Sequence, residues 1–315
     1  MTMKIVVLAG GLSHEREVSE RSGRRVAEAL RERGHVVEVF DTDTKLLQKL
    51  ADANPDVVIP MLHGAAGEDG ALREILDALG FAYVGAAPDA CRNTFDKPIA
   101  KAIIESAGIA VPQGVALPHS LFRELGADSV IKSLVAKLGM PLMIKPARGG
   151  SALGAAVVHE AHHIPGALVA AFAYGEVVII EQFIAGIEVA VGIIESASGP
   201  VALPAVEIQP DSGFYDYTAR YTAGFTEFFC PARISEATAQ RVAETAITAH
   251  LALDLRDLSR SDMIVDGNGG VWFLEANVAP GMTETSLYPQ ALEVAGTDLG
   301  EVFEALALQA MNRKK

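Results

Sequence analysis

Three oxygen-bearing side chains, Asp262, Glu275 and Asn277, flank the turn Gly267-Asn268-Gly269-Gly270. That turn predicts a hairpin between strands 262–266 and 271–276, with Asp262 opening the first strand. Residues two apart on a strand face the same side, so Glu275 and Asn277 share a face and meet Asp262 at one end of the ribbon. Hard oxygens of this kind suit Mg²⁺, which takes few protein ligands and completes its shell with phosphate and water. A solvated polar hairpin end is the alternative. Against it, Val271-Trp272-Phe273-Leu274 is apolar, and a carboxylate leaving a buried strand is costly without a partner.

A second group is cationic. Arg148-Gly149-Gly150-Ser151 follows an apolar strand at 141–146, which suits a backbone that wraps phosphate oxygens with its N–H groups. The loop lacks the Lys-Ser/Thr of a P-loop and is otherwise a tight turn. Lys145 ends the apolar strand, where its head needs an anion. Lys97 opens the same region and reads either as a second phosphate ligand or as a surface lysine.

A third group lies after the apolar run 57–62, in His63-Gly64-Ala65-Ala66-Gly67-Glu68-Asp69-Gly70. His63 reads as a substrate contact or a structural histidine; Glu68 and Asp69 read as substrate contacts or helix caps. Glu15, after the first strand, holds a substrate ammonium or is a helix N-terminal charge. The stretch Phe214-Tyr215-Asp216-Tyr217-Thr218-Ala219-Arg220-Tyr221 is dense in tyrosine for a chain with 6 of them; it reads as a lid or as a hydrophobic patch. Gly281 offers a free N–H to an oxyanion. Ser286 and Leu287 open a helix whose N-terminus favours a carboxylate.

Elements must position these groups. Residues 1–95 alternate strand and helix: strands at 5–9, 36–40, 57–61 and 83–85, helices after Glu15 and at 69–79. That rhythm predicts a doubly wound parallel sheet with ligand groups at the strands' carboxyl ends. Residues 96–184 read as a small α+β lobe carrying the glycine loop. Residues 185–315 read as a second α+β lobe with long strands, an irregular stretch at 211–229, a helix at 236–251, the hairpin and two closing helices.

Composition frames the class. The chain has 315 residues, 50% hydrophobic and 21% charged, which predicts a globular protein of two or three domains. A net charge of -14 disfavours nucleic acid and anionic membrane as partners. Cys91 and Cys230 do not form a disulfide framework and fit a reducing compartment. No run reaches the ~18 apolar residues of a membrane span, and the apolar start is cut short by Glu15, Arg16, Glu17 and Glu20, unlike a signal peptide. The expectation is a cytoplasmic protein.

Taken together, His63-Gly64 … Gly67-Glu68-Asp69-Gly70, Asp96-Lys97, Lys145-Pro146, Gly150-Ser151, Tyr215-Asp216-Tyr217 … Tyr221, Arg260-Ser261-Asp262 and Glu275-Ala276-Asn277 … Pro280-Gly281-Met282-Thr283 resemble the D-alanine–D-alanine ligases of the ATP-grasp superfamily, nearly end to end. The resemblance implies an ATP-grasp fold whose two α+β lobes clamp ATP. It implies that Lys97, Lys145 and Arg220 bind phosphates, and that Glu181, Gln182, Ile184 and Glu188 hold the adenine and ribose. Two Mg²⁺ ions, replaceable by Mn²⁺, would sit on Asp262, Glu275 and Asn277. The first D-alanine carboxylate would attack the γ-phosphate, giving an acyl phosphate that the second D-alanine's amine attacks. Glu15, Ser151 and Tyr221 would tie the lid shut, His63 and Glu68 would meet substrate, Arg260 and Gly281 would stabilise the oxyanion, and Ser286 and Leu287 would meet the second substrate. A homodimer built through the N-terminal region and a role in peptidoglycan precursor synthesis follow by the same analogy.

The chain departs from the family pattern at several places. Arg220 stands where Lys is common, Gln182 replaces a frequent Lys, Ala152-Leu153 replaces Ser-Val, Val278-Ala279 follows Asn277 where Thr is usual, and Glu284-Thr285 replaces Ser-His. The last change lies beside the second-substrate residues and motivates a rival: a related carboxylate–amine ligase for another amino-acid pair. A non-catalytic nucleotide sensor is disfavoured by the complete metal set. A dehydrogenase is disfavoured because Gly10-Gly11-Leu12-Ser13 lacks spaced glycines.

Overall fold

The apolar run at the start folds as β1 (Lys4–Leu8), the middle strand of a parallel sheet ordered β2-β1-β3, with β2 at Val36–Phe40 and β3 at Val57–Pro60. Alternation sorts its side chains. Ile5 and Val7 share a core with Val26, Ala27 and Leu30 of α1 (Arg16–Glu32). Val6 and Leu8 pack with Leu46 and Leu50 of α2 (Leu46–Ala53). Both faces are covered, as an all-parallel sheet requires. The computed structural model describes residues 1–211, 213–222 and 224–313, so Ser212, Ala223, Lys314 and Lys315 lie outside it, as does the side chain of Tyr221.

Two expectations for this domain change. The helix expected at 69–79 begins two residues later, as α4 (Ala71–Leu79), and an unexpected short helix, α3 (Ala65–Glu68), precedes it. Gly70 sits between them at φ +87, and a Cβ there would meet the Pro88 carbonyl, so only glycine fits the break. The strand expected at 83–85 is a single parallel bridge between Tyr83 and Val58. Helix α5 (Pro88–Phe95) then leads out of the domain.

Asp96 caps α6 (Lys97–Ser106) by accepting the Ile99 N–H at 3.3 Å, which fixes Lys97 in the first turn. Strand β4 (Gly114–Pro118) and helices α7 (His119–Leu125) and α8 (Ala127–Leu138) follow. Then come β5 (Leu142–Pro146), β6 (Ala156–Val158), α9 (Ile164–Phe172) and β7 (Val177–Gln182). The sheet order is β4-β7-β5-β6, antiparallel throughout. Leu142, Ile144, Val178 and Ile180 pack against Leu168 of α9 and Leu138 of α8. Met143, Lys145 and Glu181 therefore point to the other face.

The last lobe is a sheet ordered β11-β10-β8-β12-β13, with β9 (Gly199–Ala202) paired to β8 (Gly186–Ser196). Its other strands are β10 (Val206–Pro210), β11 (Thr226–Phe229), β12 (Leu258–Asp266) and β13 (Val271–Asn277). The stretch expected to be irregular holds a short helix, α10 (Tyr217–Tyr221), as well as β11. Val189, Val191, Met263 and Val265 pack on Val242 and Ala246 of α11 (Glu236–Ala252). Asp262 lies inside a nine-residue strand, not at its start, with a register shift between Asp262 and Met263. Helices α12 (Leu287–Val294) and α13 (Leu299–Asn312) close the chain. Phe303, Leu306 and Ala310 return to the core beneath α1, each fully buried apolar side chain contributing roughly 1.5–3 kcal/mol. Buried Asp257 joins the two ends: it accepts from the Gly85 N–H at 2.6 Å and from the Arg313 guanidinium.

Candidate active site

The face of the first antiparallel sheet opposite α8 and α9 and the face of the second opposite α11 line one cleft, and the charged residues lie on them. Lys145, last but one in β5, approaches Glu181 of β7 at 3.0 Å, a diagonal cross-strand pair. The other Glu181 oxygen receives the ammonium of Lys101. Burial opposes the Glu181 charge, but the two lysines outweigh it and hold its carboxyl below the usual range. Burial and Lys145 together push Lys101 down to about 8. Glu181, expected at the adenine and ribose end, lines the larger cavity with its carboxylate paired to two lysines. Lys97 donates to the Gly149 carbonyl at 2.5 Å and lies 3.3 Å from Glu275, so the start of α6 is tied to the glycine loop and the hairpin at once. The loop itself is wound tightly: Ser151 and Ala152 hold φ of 52 and 54, a region that costs non-glycine residues energy and clusters at ligand clamps.

Across the cleft, β12 and β13 pair Asp262 with Glu275 and Arg260 with Asn277. These four side chains share one face of the ribbon. Arg260 grips Asp262 with two hydrogen bonds, 2.7 and 2.8 Å. Asn277 accepts the Ala279 N–H at 2.7 Å. Burial opposes ionisation of Glu275, yet Lys97, Lys145, Arg220 and Arg260 overcome it and hold its carboxyl at about 2. Among the described residues no group of three or more His, Cys, Asp or Glu converges, which agrees with a set of two carboxylates and one carboxamide. Such a set fits Mg²⁺, a cation that leaves most of its shell to phosphate and water.

Two cavities meet here. The larger, about 370 Å³, is lined by Lys97, Lys145, Glu181, Gln182, Ile184, Glu188, Arg220, Asp262 and Glu275, every residue assigned to the nucleotide and the first two assigned to the metal. Its apolar wall is Met143, Phe183, Ile264 and Leu274. Burial pushes Glu188 up to about 7, and the Gln182 amide donates to the Leu138 carbonyl at 3.1 Å. The smaller, about 170 Å³, is lined by Glu15, His63, Glu68, Ser151, Arg260, Asn277, Gly281, Ser286 and Leu287. Lys97, Gly149, Gly150, Tyr215, Arg220 and Glu275 belong to both walls. The Arg220 guanidinium stacks 4.2 Å from the centre of the Tyr215 ring, an arrangement that a lysine's ammonium fills differently.

The smaller cavity is stitched across domains. Ser151 of the glycine loop donates to Glu15 of the N-terminal domain; the third member expected in that set, Tyr221, has its side chain outside the described residues. His63 is buried, its Nε2 has no hydrogen-bond partner among the described residues, and it engages the Ala279 backbone. Burial, the main cause, pushes its pKa down, so it is neutral near pH 7. Glu68 accepts the Gly64 N–H at 2.8 Å, and burial raises its carboxyl to about 7. A Cβ on Gly281 would lie 2.9 Å from the Ser286 hydroxyl, so any larger residue there would press on that hydroxyl. The Ser286 hydroxyl also accepts the Thr283 N–H at 3.0 Å.

Sequence reasoning missed Lys101, Arg21, Phe183 and Met143. Lys101 had a signal: it is one helical turn from Lys97, on an otherwise apolar face. Arg21 had none without its partner, which is 263 positions away.

Comparison with known proteins follows this geometry. The family model described as D-ala D-ala ligase C-terminus matches residues 103–307. The chain is 39% identical to a D-alanine–D-alanine ligase of Anaeromyxobacter sp. (strain Fw109-5), over 96% of this chain and 95% of that one. It is 35% identical to one of Pelotomaculum thermopropionicum, over 99% and 98%. Among solved structures it resembles the VanG D-Ala:D-Ser ligase of Enterococcus faecalis (TM-score 0.83, 29% identity, 98% of this chain and 100% of that one). It also resembles a D-alanine–D-alanine ligase of Bacillus anthracis complexed with ATP (TM-score 0.82, 26% identity, 98% and 99%). A nucleotide-sized cleft joined to an amino-acid-sized one, and relatives matched along almost the whole length, lead to one assignment: the chain belongs to the D-alanine–D-alanine ligase family.

Proposed function

We propose that the chain joins two D-alanines into D-alanyl-D-alanine at the expense of ATP, through an acyl phosphate, for peptidoglycan precursor synthesis. The observation that carries this is the shared wall: Lys97, Gly149, Gly150, Tyr215, Arg220 and Glu275 line both cavities, and Lys97 and Arg220 among them offer cations to a migrating phosphoryl group. The relatives' names supply the amino acid.

The steps follow from the residues. Met143, Phe183, Ile184 and Leu274 bury the adenine, and Glu188 faces the ribose. Lys97, Lys145 and Arg220 hold the phosphates, Lys145 being aimed by Glu181. Asp262, Glu275 and Asn277 would hold Mg²⁺, which when bound neutralises the triphosphate. Glu15 takes the first D-alanine's ammonium and neutral His63 turns its unpaired Nε2 to the same substrate. The substrate carboxylate oxygen bonds to the γ-phosphorus as the bond to ADP breaks, which converts a poor electrophile into an acyl phosphate. The second D-alanine's neutral amine then attacks the acyl carbon; inorganic phosphate leaves and the nitrogen gives up one proton, keeping the other as the amide N–H. Arg260 and the Gly281 N–H meet the oxyanion, each such donor being worth ~3 kcal/mol. The Ser151–Glu15 link closes the glycine loop over the site and keeps water from the acyl phosphate.

Two further expectations belong to this proposal, a cytoplasmic location and a homodimer through the N-terminal domain. Among the described residues no helix is long and apolar enough to cross a membrane. Light scattering tests the dimer, which predicts twice the 33.2 kDa of the chain. The rival amino-acid pair is favoured by one observation, Thr285 in the wall of the smaller cavity. A panel of D- and L-amino acids separates the two: ADP release with D-alanine alone supports the proposal, and none with D-alanine alone overturns it.

A further inference from the structure

The segment 281–286 carries Gly281 and Ser286, and α1 holds it from one side. Val18, Arg21, Ser22 and Arg25 are spaced three or four apart and share that face of the helix. Ser22, fully buried, accepts the Met282 N–H at 2.9 Å. Arg25 donates to the Met282 and Thr283 carbonyls at 3.2 and 2.9 Å. Val18 lies 3.8 Å from the position of a Cβ on Gly281. These three fix the segment.

Arg21 differs from them. It lines the smaller cavity, its side chain is 47% exposed, and one Nη holds the Glu284 carboxylate at 2.8 Å. A guanidinium carries five N–H donors in a fork that matches a carboxylate, so one contact with Glu284 leaves capacity. The cavity's other cations have partners in the wall shared with the larger cavity or beside it: Lys97 with Gly149 and Glu275, Arg260 with both Asp262 oxygens, and Arg220 with the Tyr215 ring.

The chemistry orients the second substrate. Its nitrogen must reach the acyl carbon at the inner end, beside Arg260. Its α-carboxylate therefore trails to the outer end, where Ser286 and Arg21 stand. There Glu284 already shows a carboxylate captured by this guanidinium.

We propose that Arg21 recognises the α-carboxylate of the acceptor amino acid and that Glu284 competes for the same guanidinium, so that the pair sets acceptor selectivity. The inference rests on the ligase function proposed above.

A one-pot competition tests it. The full-length enzyme with Mg-ATP receives D-alanine and D-alaninamide; the amide lacks a carboxylate, so it serves only as acceptor. Mass spectrometry reads the ratio of D-alanyl-D-alanine to D-alanyl-D-alaninamide. The ratio cancels differences in folded fraction or overall rate. Arg21→Ala is expected to lower it about tenfold relative to wild type, the scale of a charged hydrogen bond discounted for exposure. Arg21→Lys restores it in part, and Glu284→Gln raises it. An unchanged ratio in Arg21→Ala, or a lowered one in Glu284→Gln, overturns the inference. A wild type that makes neither product overturns the ligase function instead.

Discussion

The two cavities hold charge in opposite ways. Around the nucleotide cavity, Glu181 is 2% exposed and is paired with two lysines before any ligand arrives. At the outer end of the amino-acid cavity, Glu284 is 66% exposed and holds a single arginine. Buried pairs are screened little, and losing one partner strands the other in a poor solvent. Exposed pairs are screened by water and salt and contribute little to stability. The inner wall is therefore suited to chemistry shared by a family, and the outer wall can vary without endangering the fold. This chain's departure at Glu284-Thr285 borders the outer wall, which Thr285 lines, while the residues proposed for the metal, Asp262 and Glu275, line the inner cavity.

The comparison can be broken at its strongest point first. Glu275→Gln removes the charge that Lys97 and Lys145 balance, and turnover should fall by at least ~10³-fold in an ADP-release assay, given the usual weight of charge stabilisation at a phosphoryl-transfer site. Unchanged turnover would show that the inner wall does not carry the chemistry. Lys101→Met comes next. Lys101 touches Glu181 without lining either cavity, so it is a positioning residue. Its loss should raise the KM for ATP about tenfold more than it lowers kcat, and should lower stability by ~3 kcal/mol in denaturant titrations. Lys101→Arg should recover part of both; a fall in kcat alone would assign it another role.

A pH series sharpens the contrast. Burial raises the Glu68 carboxyl from 4.5 to about 7. Between those values the folded chain keeps a proton that the unfolded chain has released. This contribution to stability is whole below pH 4.5, shrinks as pH rises, and is gone above about 7. Glu68→Gln should flatten that decline by about 1 kcal/mol between pH 5 and 7.5, allowing for partial exposure. Glu188 shifts the same way, so some slope should persist. A slope equal to wild type would mean that Glu68 titrates as an ordinary surface carboxylate. The smallest effect is expected at the outer wall: Arg21→Ala should change global stability by less than ~0.5 kcal/mol in 0.15 M salt. A larger loss would make Arg21 a structural brace.

Much of this was legible in the sequence where the signal is local. The glycine turn announced the hairpin, and the apolar strand before Lys145 announced a charge that needed a partner. The runs after Met3 and before His63 announced a parallel sheet with its ligand groups at one edge. Where the signal is tertiary the sequence was silent. Nothing near Asp262 shows that β12 extends back to Leu258, because that extension is built by pairing with β8. The pairing of Glu181 with two lysines was invisible because its partners come from α6 and β5, 80 and 36 positions away. The return of α13 beneath α1, and the meeting of Gly85 with Asp257 and Arg313, depend on contacts between chain ends that no local pattern encodes.

The central claim is that the buried wall activates a carboxylate by phosphorylation. Hydroxylamine trapping tests it directly, with the enzyme, Mg-ATP and D-alanine present. The account predicts D-alanine hydroxamate appearing, hydroxamate and D-alanyl-D-alanine together matching the ADP released, and all three lost in Glu275→Gln. Formation of AMP and pyrophosphate, or ADP release with no hydroxamate at any hydroxylamine concentration, would contradict it.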